Sequence, residues 1–220
     1  MELLEGIETR KSWRAFKATL ISEEILRRIF QAAGNSPSYT NTQPWEVVVV
    51  TGKKKEELSK ILYNLSDSGT PPNPDFPPAG NWPPELEKRG REHGAKRFEV
   101  AGIARDNQQQ RKEFGLRNFE FYGAPCAVFL FLDKTLGQWS VFDTGLFAQN
   151  LILAAHSFGL GSCLQVALVG YPDAVRRYLE ISKSKRLLIG VSIGYPDPEA
   201  SINTYRAEKI GLDTFARWYS

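Results

Sequence analysis

Pro37-Ser38-Tyr39-Thr40-Asn41-Thr42-Gln43-Pro44-Trp45-Glu46-Val47-Val48-Val49-Val50 changes character at Pro44. Before it lie turn formers and small side chains that both donate and accept hydrogen bonds. After it comes a continuous β-branched run, which predicts a buried strand. A polar loop that empties into a buried strand has two readings. It can bring Ser38, Asn41 and Gln43, with Pro37 ahead of them, to the polar edge of a ring system. It can equally be a turn whose Asn and Ser satisfy their own backbone.

Upstream, Ser22 can cap a helix with Glu23 and Glu24 in its first turn, where carboxylates suit the positive helix end. Ile25, Leu26, Ile29, Phe30 and Ala33 form one apolar face, and Gly34 and Asn35 end it. Downstream, Lys53 to Leu65 reads as a second helix. Seven of the thirteen prolines then fall between Thr70 and Pro84. Proline denies that stretch both helix and inner strand, so an extended surface excursion is expected. Glu85 to Arg111 is charged and helical in pieces. Residues 70–111 have too few apolar side chains for a core of their own. They are read as an insertion or lid on a single domain spanning 1–220.

Cys126 to Leu132 predicts a second buried strand. Asp143 to Phe158 predicts a helix that is apolar on nearly every side, and such a helix must be covered all round. Either it is central to the core or a second subunit shares it. Gly159 and Gly161 are expected to terminate it. Pro172 opens a further helix at its first position, and Leu187 to Ile193 is a third strand. No GxGxxG follows a strand and no strict βαβ alternation exists, which disfavours a dinucleotide-binding α/β fold.

Composition narrows the function. The chain is 220 residues with a formal charge of +3, and its cations are scattered among carboxylates, so nucleic acid is not an expected partner. No apolar run reaches transmembrane length and no signal pattern opens the chain. Cys126 and Cys163 are far apart, and neither His93 nor His156 lies near a Cys at ligand spacing, so no metal site is expected. A reducing, cytoplasmic compartment fits this cysteine usage.

Arg10-Lys11-Ser12-Trp13-Arg14 packs three cations and a hydroxyl into five residues. Arg forks and a Ser donor match phosphate oxygens. The plain alternative is a solvated basic terminus. Taken with Pro37 to Trp45 and the valine run, this order of segments resembles the FMN-dependent nitroreductase family. The likeness continues through Gly123-Ala124-Pro125, Asp143 and Gly145, Gln149-Asn150-Leu151, Gly159 to Cys163 and Gly194-Tyr195-Pro196. It ends at Arg206 and Lys209, and Asn118 to Tyr122 resembles the branch acting on nitrobenzoate-like compounds.

The resemblance implies an α+β fold, with a central, mostly antiparallel sheet flanked by helices in an interlocked homodimer. FMN would sit at the dimer interface, with NADH or NADPH as co-substrate. Arg10 and Ser12 match residues that hold the phosphate and ribityl chain. Lys209 and Arg206 add to that site, and Lys11 stands where Arg is common. Arg14 matches the cation near flavin N1 and O2. Ser38 and Asn41 would come from the other subunit, and Pro37 and Gln43 are further cofactor-binding candidates of the same loop. Gln165, Val166 and Ala167 would present backbone N–H groups towards flavin N5, after a Gly-Ser-Cys turn.

The implied chemistry is ping-pong hydride transfer at the flavin to a nitroaromatic or quinone-like acceptor, with no side chain as catalytic acid or base. Phe76, Trp82 and Phe98 are candidates for an aromatic lid, or equally for surface packing under a loop. Enone reduction, reductive dehalogenation, flavin breakdown and flavin binding without turnover remain as alternatives on the same fold.

Overall fold

A computed structural model describes residues 1–78 and 80–220. Its strands are β1 (Glu46–Thr51), β2 (Cys126–Asp133), β3 (Gly161–Gln165) and β4 (Lys185–Gly194). They form one sheet in the order β1-β2-β4-β3, and each pairing is antiparallel. One isolated parallel bridge joins Ser12 to Ser162. The α+β class with a mostly antiparallel, helix-flanked sheet is therefore the observed fold.

β2 sits inside the sheet, and its residues from Cys126 to Leu132 are all buried. Alternate side chains leave a strand on opposite faces, so β2 feeds two cores. Cys126, Val128 and Leu130 pack with α2 (Glu23–Gly34) and α6 (Gln138–Ser157). Ala127, Phe129 and Phe131 pack with α3 (Gly52–Asp67) and α7 (Pro172–Leu179). A run that is apolar at every position is what such a two-sided strand requires.

The valine run of β1 is not such a strand. β1 lies at the sheet edge, with Val50 buried, Val47 and Val48 partly covered and Val49 41% exposed. Composition reports apolar character, and strand order decides how much of it is covered.

Other boundaries also shift. α6 begins at Gln138 rather than Asp143, because its N-cap is Gly137, with no side-chain hydrogen bond to mark the start. Gly159, at φ +72°, supplies the left-handed turn that ends it. Gly161 does not terminate the helix but opens β3, so the expected Gly-Ser-Cys turn is a strand. A helix α1 (Leu3–Thr9) precedes the basic cluster. No helix among the described residues is long and apolar enough to cross a membrane.

The proline-rich excursion is extended and leads into α4 (Pro84–Val100), which buries no residue, and α5 (Gln108–Leu116), which buries Phe114 and Leu116. Ala79, within the excursion, lies outside the described residues. The excursion is tied down. Asp75 forks onto Arg176 of α7 at 2.5 and 3.1 Å, with side chains only 12% and 7% exposed. Asp75 also accepts the Leu187 N–H at 2.7 Å, and Asn73 N–H donates to the Gly170 carbonyl at 2.8 Å. Arg176 further donates to Asp173 and to the Lys185 carbonyl. Burial opposes its charge, but the two carboxylates together raise its pKa.

Candidate functional site

The basic cluster runs beside β3 as a near-strand. Trp13 N–H donates to the Ser162 carbonyl at 3.0 Å, and Lys17 N–H to the Tyr195 carbonyl at 2.9 Å. Gly161 makes the approach possible, since a Cβ there would lie 2.7 Å from the Trp13 ring. Buried Asn203 then joins the two ends of the chain. Its side chain accepts from Arg14 N–H at 2.8 Å and donates to the carbonyls of Ala15 and Asp197 at 2.9 and 2.7 Å. Lys11 Nζ donates to the Asn203 carbonyl. All three partners of the Asn203 amide are backbone groups, so the residue acts as a splint.

The splint brings Arg206 and Lys209 to the basic cluster. Arg10, Lys11, Ser12, Arg14, Arg206 and Lys209 line one cavity of about 530 Å³. Among the described residues Glu8 is the one carboxylate lining it, against five fixed cations. Burial and then the Arg206 charge lower the Lys11 pKa. Such crowding costs energy in the protein alone and is relieved by an anion. The solvated-terminus reading of the cluster therefore fails: the cations converge from positions about 190 residues apart, and Lys11 is partly desolvated.

Sequence reasoning missed two groups here. His93 of α4 lines the same cavity, with Nδ1 2.7 Å from the Tyr205 hydroxyl. Arg97, one turn on, is half-buried, and its Nε has no hydrogen-bond partner. Burial first, and Arg14 second, lower its pKa. The i, i+4 spacing of His93 and Arg97 was the available signal, since it sets both on one helix face. Asn203 carried none.

The loop before β1 does not line this cavity. Its internal bonds are those of a self-satisfied turn: Gln43 N–H donates to Ser38 Oγ at 2.9 Å, and Gln43 Nε2 donates to Asn41 Oδ1 at 3.2 Å. Yet Thr40, Asn41 and Gln43 all have positive φ, which is strained for residues with a Cβ. α6 holds that shape. Buried Asp143 accepts Tyr39 N–H at 3.1 Å, and Asn150 donates to Ser36 Oγ at 2.8 Å. Pro37, Asn41 and Gln43 remain exposed, and Ser38 is half-buried.

Gln165 closes β3, and Val166 and Ala167 open the 3-10 turn that follows it. Gln165 is buried, donating to the Asn118 carbonyl at 3.0 Å and accepting from Ser192 Oγ. Val166 is 73% exposed. Val166 and Ala167 line a second, apolar cavity of about 530 Å³, with Pro71, Pro74, Phe76 and Phe119. Of the three lid candidates, Phe76 faces this cavity and stacks on Arg186, Phe98 packs with Phe114, and Trp82 is exposed. Burial pushes the Cys126 thiol up to about 12 and raises that of Cys163.

Comparison with known proteins identifies the family and the fold. The sequence profile described as the Nitroreductase family matches residues 7–195. Nitroreductase NfnB of Mycolicibacterium smegmatis is 34% identical over 96% of this chain and 90% of its own length. A 4-nitrobenzoate reductase of Pseudomonas putida is 34% identical over 91% of this chain and 88% of its own. The crystal structure of the FMN-dependent nitroreductase NfnB from Mycobacterium smegmatis in complex with NADPH superposes with a TM-score of 0.95. That match is 33% identical and covers 99% of this chain and 97% of the other. A cationic cavity closed by both chain ends, on a sheet of this order, and similarity along nearly the whole length converge on one assignment: the chain belongs to the nitroreductase family.

Proposed function

We propose that the chain binds FMN in the cationic cavity and passes electrons from NADH or NADPH to nitroaromatic or quinone-like acceptors. The observation that carries this reading is the convergence of Arg10, Lys11, Ser12, Arg14, Arg206 and Lys209 on one cavity. The residues fit a phosphate monoester, which needs several cations and a hydroxyl donor in a partly dry crevice. FMN, when bound, supplies a two-electron store that accepts a hydride from the nicotinamide and releases it to the acceptor in a ping-pong cycle.

The chain's own residues then have distinct tasks. Arg10, Ser12, Arg206 and Lys209 hold the phosphate, with Lys11 beside them. Arg14 would supply a fixed positive charge at the cavity wall, which raises the electron affinity of a flavin held there. Gln165 is locked by Asn118 and Ser192, which fixes the backbone at Val166 and Ala167. Residues 70–111 form a lid on the single domain, with Phe76 facing the acceptor side.

A homodimer completes the site. Trp139 and Phe142 of α6 are 64% and 60% exposed in one chain, and Phe215 and Trp218 of the C-terminal tail 67% and 78%. Aromatic surface of that extent is characteristic of a subunit interface. The strained loop of Pro37, Ser38, Asn41 and Gln43 would then complete the partner subunit's flavin site. Two buried free thiols suit a cytoplasmic protein.

The test is spectroscopic. The pure protein is expected to be yellow, to bleach anaerobically with NADPH or NADH, and to regain its colour on addition of a nitroarene. Colour that neither nucleotide bleaches would mean binding without turnover. A colourless protein that rejects added FMN overturns the reading. Sedimentation should show flavin absorbance only in the dimer, and a flavin-loaded monomer would sink the shared site.

A further inference from the structure

His93 lies on α4, within the segment 70–111, and it lines the anion cavity. Nδ1 meets the Tyr205 hydroxyl at 2.7 Å, and the two rings are 5.4 Å apart. Its other ring nitrogen has no hydrogen-bond partner among the described residues. α4 is clipped to the C-terminal segment a second time by Lys96 and Glu208 at 2.5 Å. The imidazole is therefore held at the cavity wall by the same segment that delivers Arg206 and Lys209.

The groups facing it are mostly cationic. Arg97 comes from its own helix, Arg14 from the N-terminal segment, and Lys209 and Tyr205 from the C-terminal one. Arg10, Lys11 and Arg206 stand further round the wall, with Glu8 as the counter-charge. Glu92 and Lys96 flank it on α4, the latter occupied by Glu208. Burial, then Arg97, Arg14 and Lys209, push the His93 pKa below its ordinary value. A dianion placed among these cations reverses the local field, and an imidazole half-desolvated beside it becomes easier to protonate.

We propose that His93 is a proton-accepting member of the anion cavity, neutral in the ligand-free protein and converted to imidazolium when a phosphate monoester enters. This rests on the reading of the cavity as the FMN phosphate site. The proton comes from solvent, and no covalent bond changes. The sign follows from linkage: the complex holds more protons than the free protein, so affinity falls as pH rises through the His93 pKa of the complex. A free phosphate monoester titrates near pH 6, so at pH 7.5 it is already a dianion, and net uptake there belongs to the protein.

Titration calorimetry of FMN into the flavin-free chain at pH 7.5, in two buffers of different ionisation enthalpy, counts the protons. The wild type should take up protons, and its affinity should weaken by up to about tenfold per pH unit above that point. His93→Gln should bind FMN without uptake and with a flat profile. Tyr205→Phe should keep the uptake, since the imidazole and its cations remain. Riboflavin, which lacks the phosphate, should bind without uptake. An equal proton count in wild type and His93→Gln overturns the proposal, even if His93→Gln lowers thermal stability. If FMN does not bind, the flavin reading fails, and the same count with phenyl phosphate, a monoester that is also a dianion at pH 7.5, judges His93. Phenyl phosphate bound without uptake, or not bound, overturns it.

Discussion

Arg10→Ala combined with Lys209→Ala is expected to strip FMN from the protein. The two side chains reach one cavity from opposite ends of the sequence. Each charge-assisted contact to a phosphate contributes about 1.5–3 kcal/mol. Losing both therefore weakens FMN binding by about 3–6 kcal/mol, roughly a hundredfold to ten-thousandfold in Kd. The loss should be selective for the phosphate, so riboflavin affinity should hardly change. Lys17→Ala removes an exposed cation outside the cavity wall and serves as the control. Flavin fluorescence titration reads all three. An FMN affinity that survives the double substitution would place the phosphate elsewhere. Each single variant should fall between wild type and the pair, and Lys11, already crowded by Arg206, limits how far the remaining cations compensate.

Arg176→Met should destabilise the fold by about 3–5 kcal/mol, because it leaves the Asp75 carboxylate buried without its cation. For a domain of this size that corresponds to a fall in Tm of roughly 6–20 °C. Met keeps much of the side-chain volume, so the loss reports the charge rather than a cavity. Adding Asp75→Leu removes the stranded charge and should recover part of the stability. The Leu187 N–H then lacks its acceptor, which leaves the double variant about 1–3 kcal/mol short of wild type. Thermal unfolding followed by circular dichroism measures each step. A single variant as stable as wild type would show that the excursion is not held by this pair. Asp75 sits between Pro74 and Phe76, so loosening it should also disturb the apolar cavity that Phe76 lines. The KM for an aromatic acceptor should rise while FMN content stays constant.

Much of this protein follows from local sequence. The apolar run from Cys126 to Leu132 required cover on both faces, and β2 has it. Ser22 marked the start of α2, and its hydroxyl accepts the Ile25 N–H. Pro172 opened α7, and Gly159 ended α6. These signals act through neighbouring residues, by periodicity, capping and forbidden backbone angles, so they are legible without the fold. The resemblance named the five cations and Ser12 of the cavity but not His93, and residue types alone left Arg10 to Arg14 open to a solvated reading.

Tertiary structure decided the rest. Val47 to Val50 have the composition of an inner strand, but strand order puts β1 at the edge. β3 looked like a turn because Gly161-Ser162-Cys163 has weak strand preference; pairing with β4 and the close packing of Trp13 on Gly161 make it a strand. Asn203 joining Arg14 to Ala15 and Asp197, His93 meeting Tyr205, and Asp75 meeting Arg176 are contacts between residues about 100 or more positions apart, except for the link to Asp197. No local pattern encodes such pairs. They form because the sheet and its two helical layers bring distant segments together, where burial makes an unpaired polar group costly and a matched one specific.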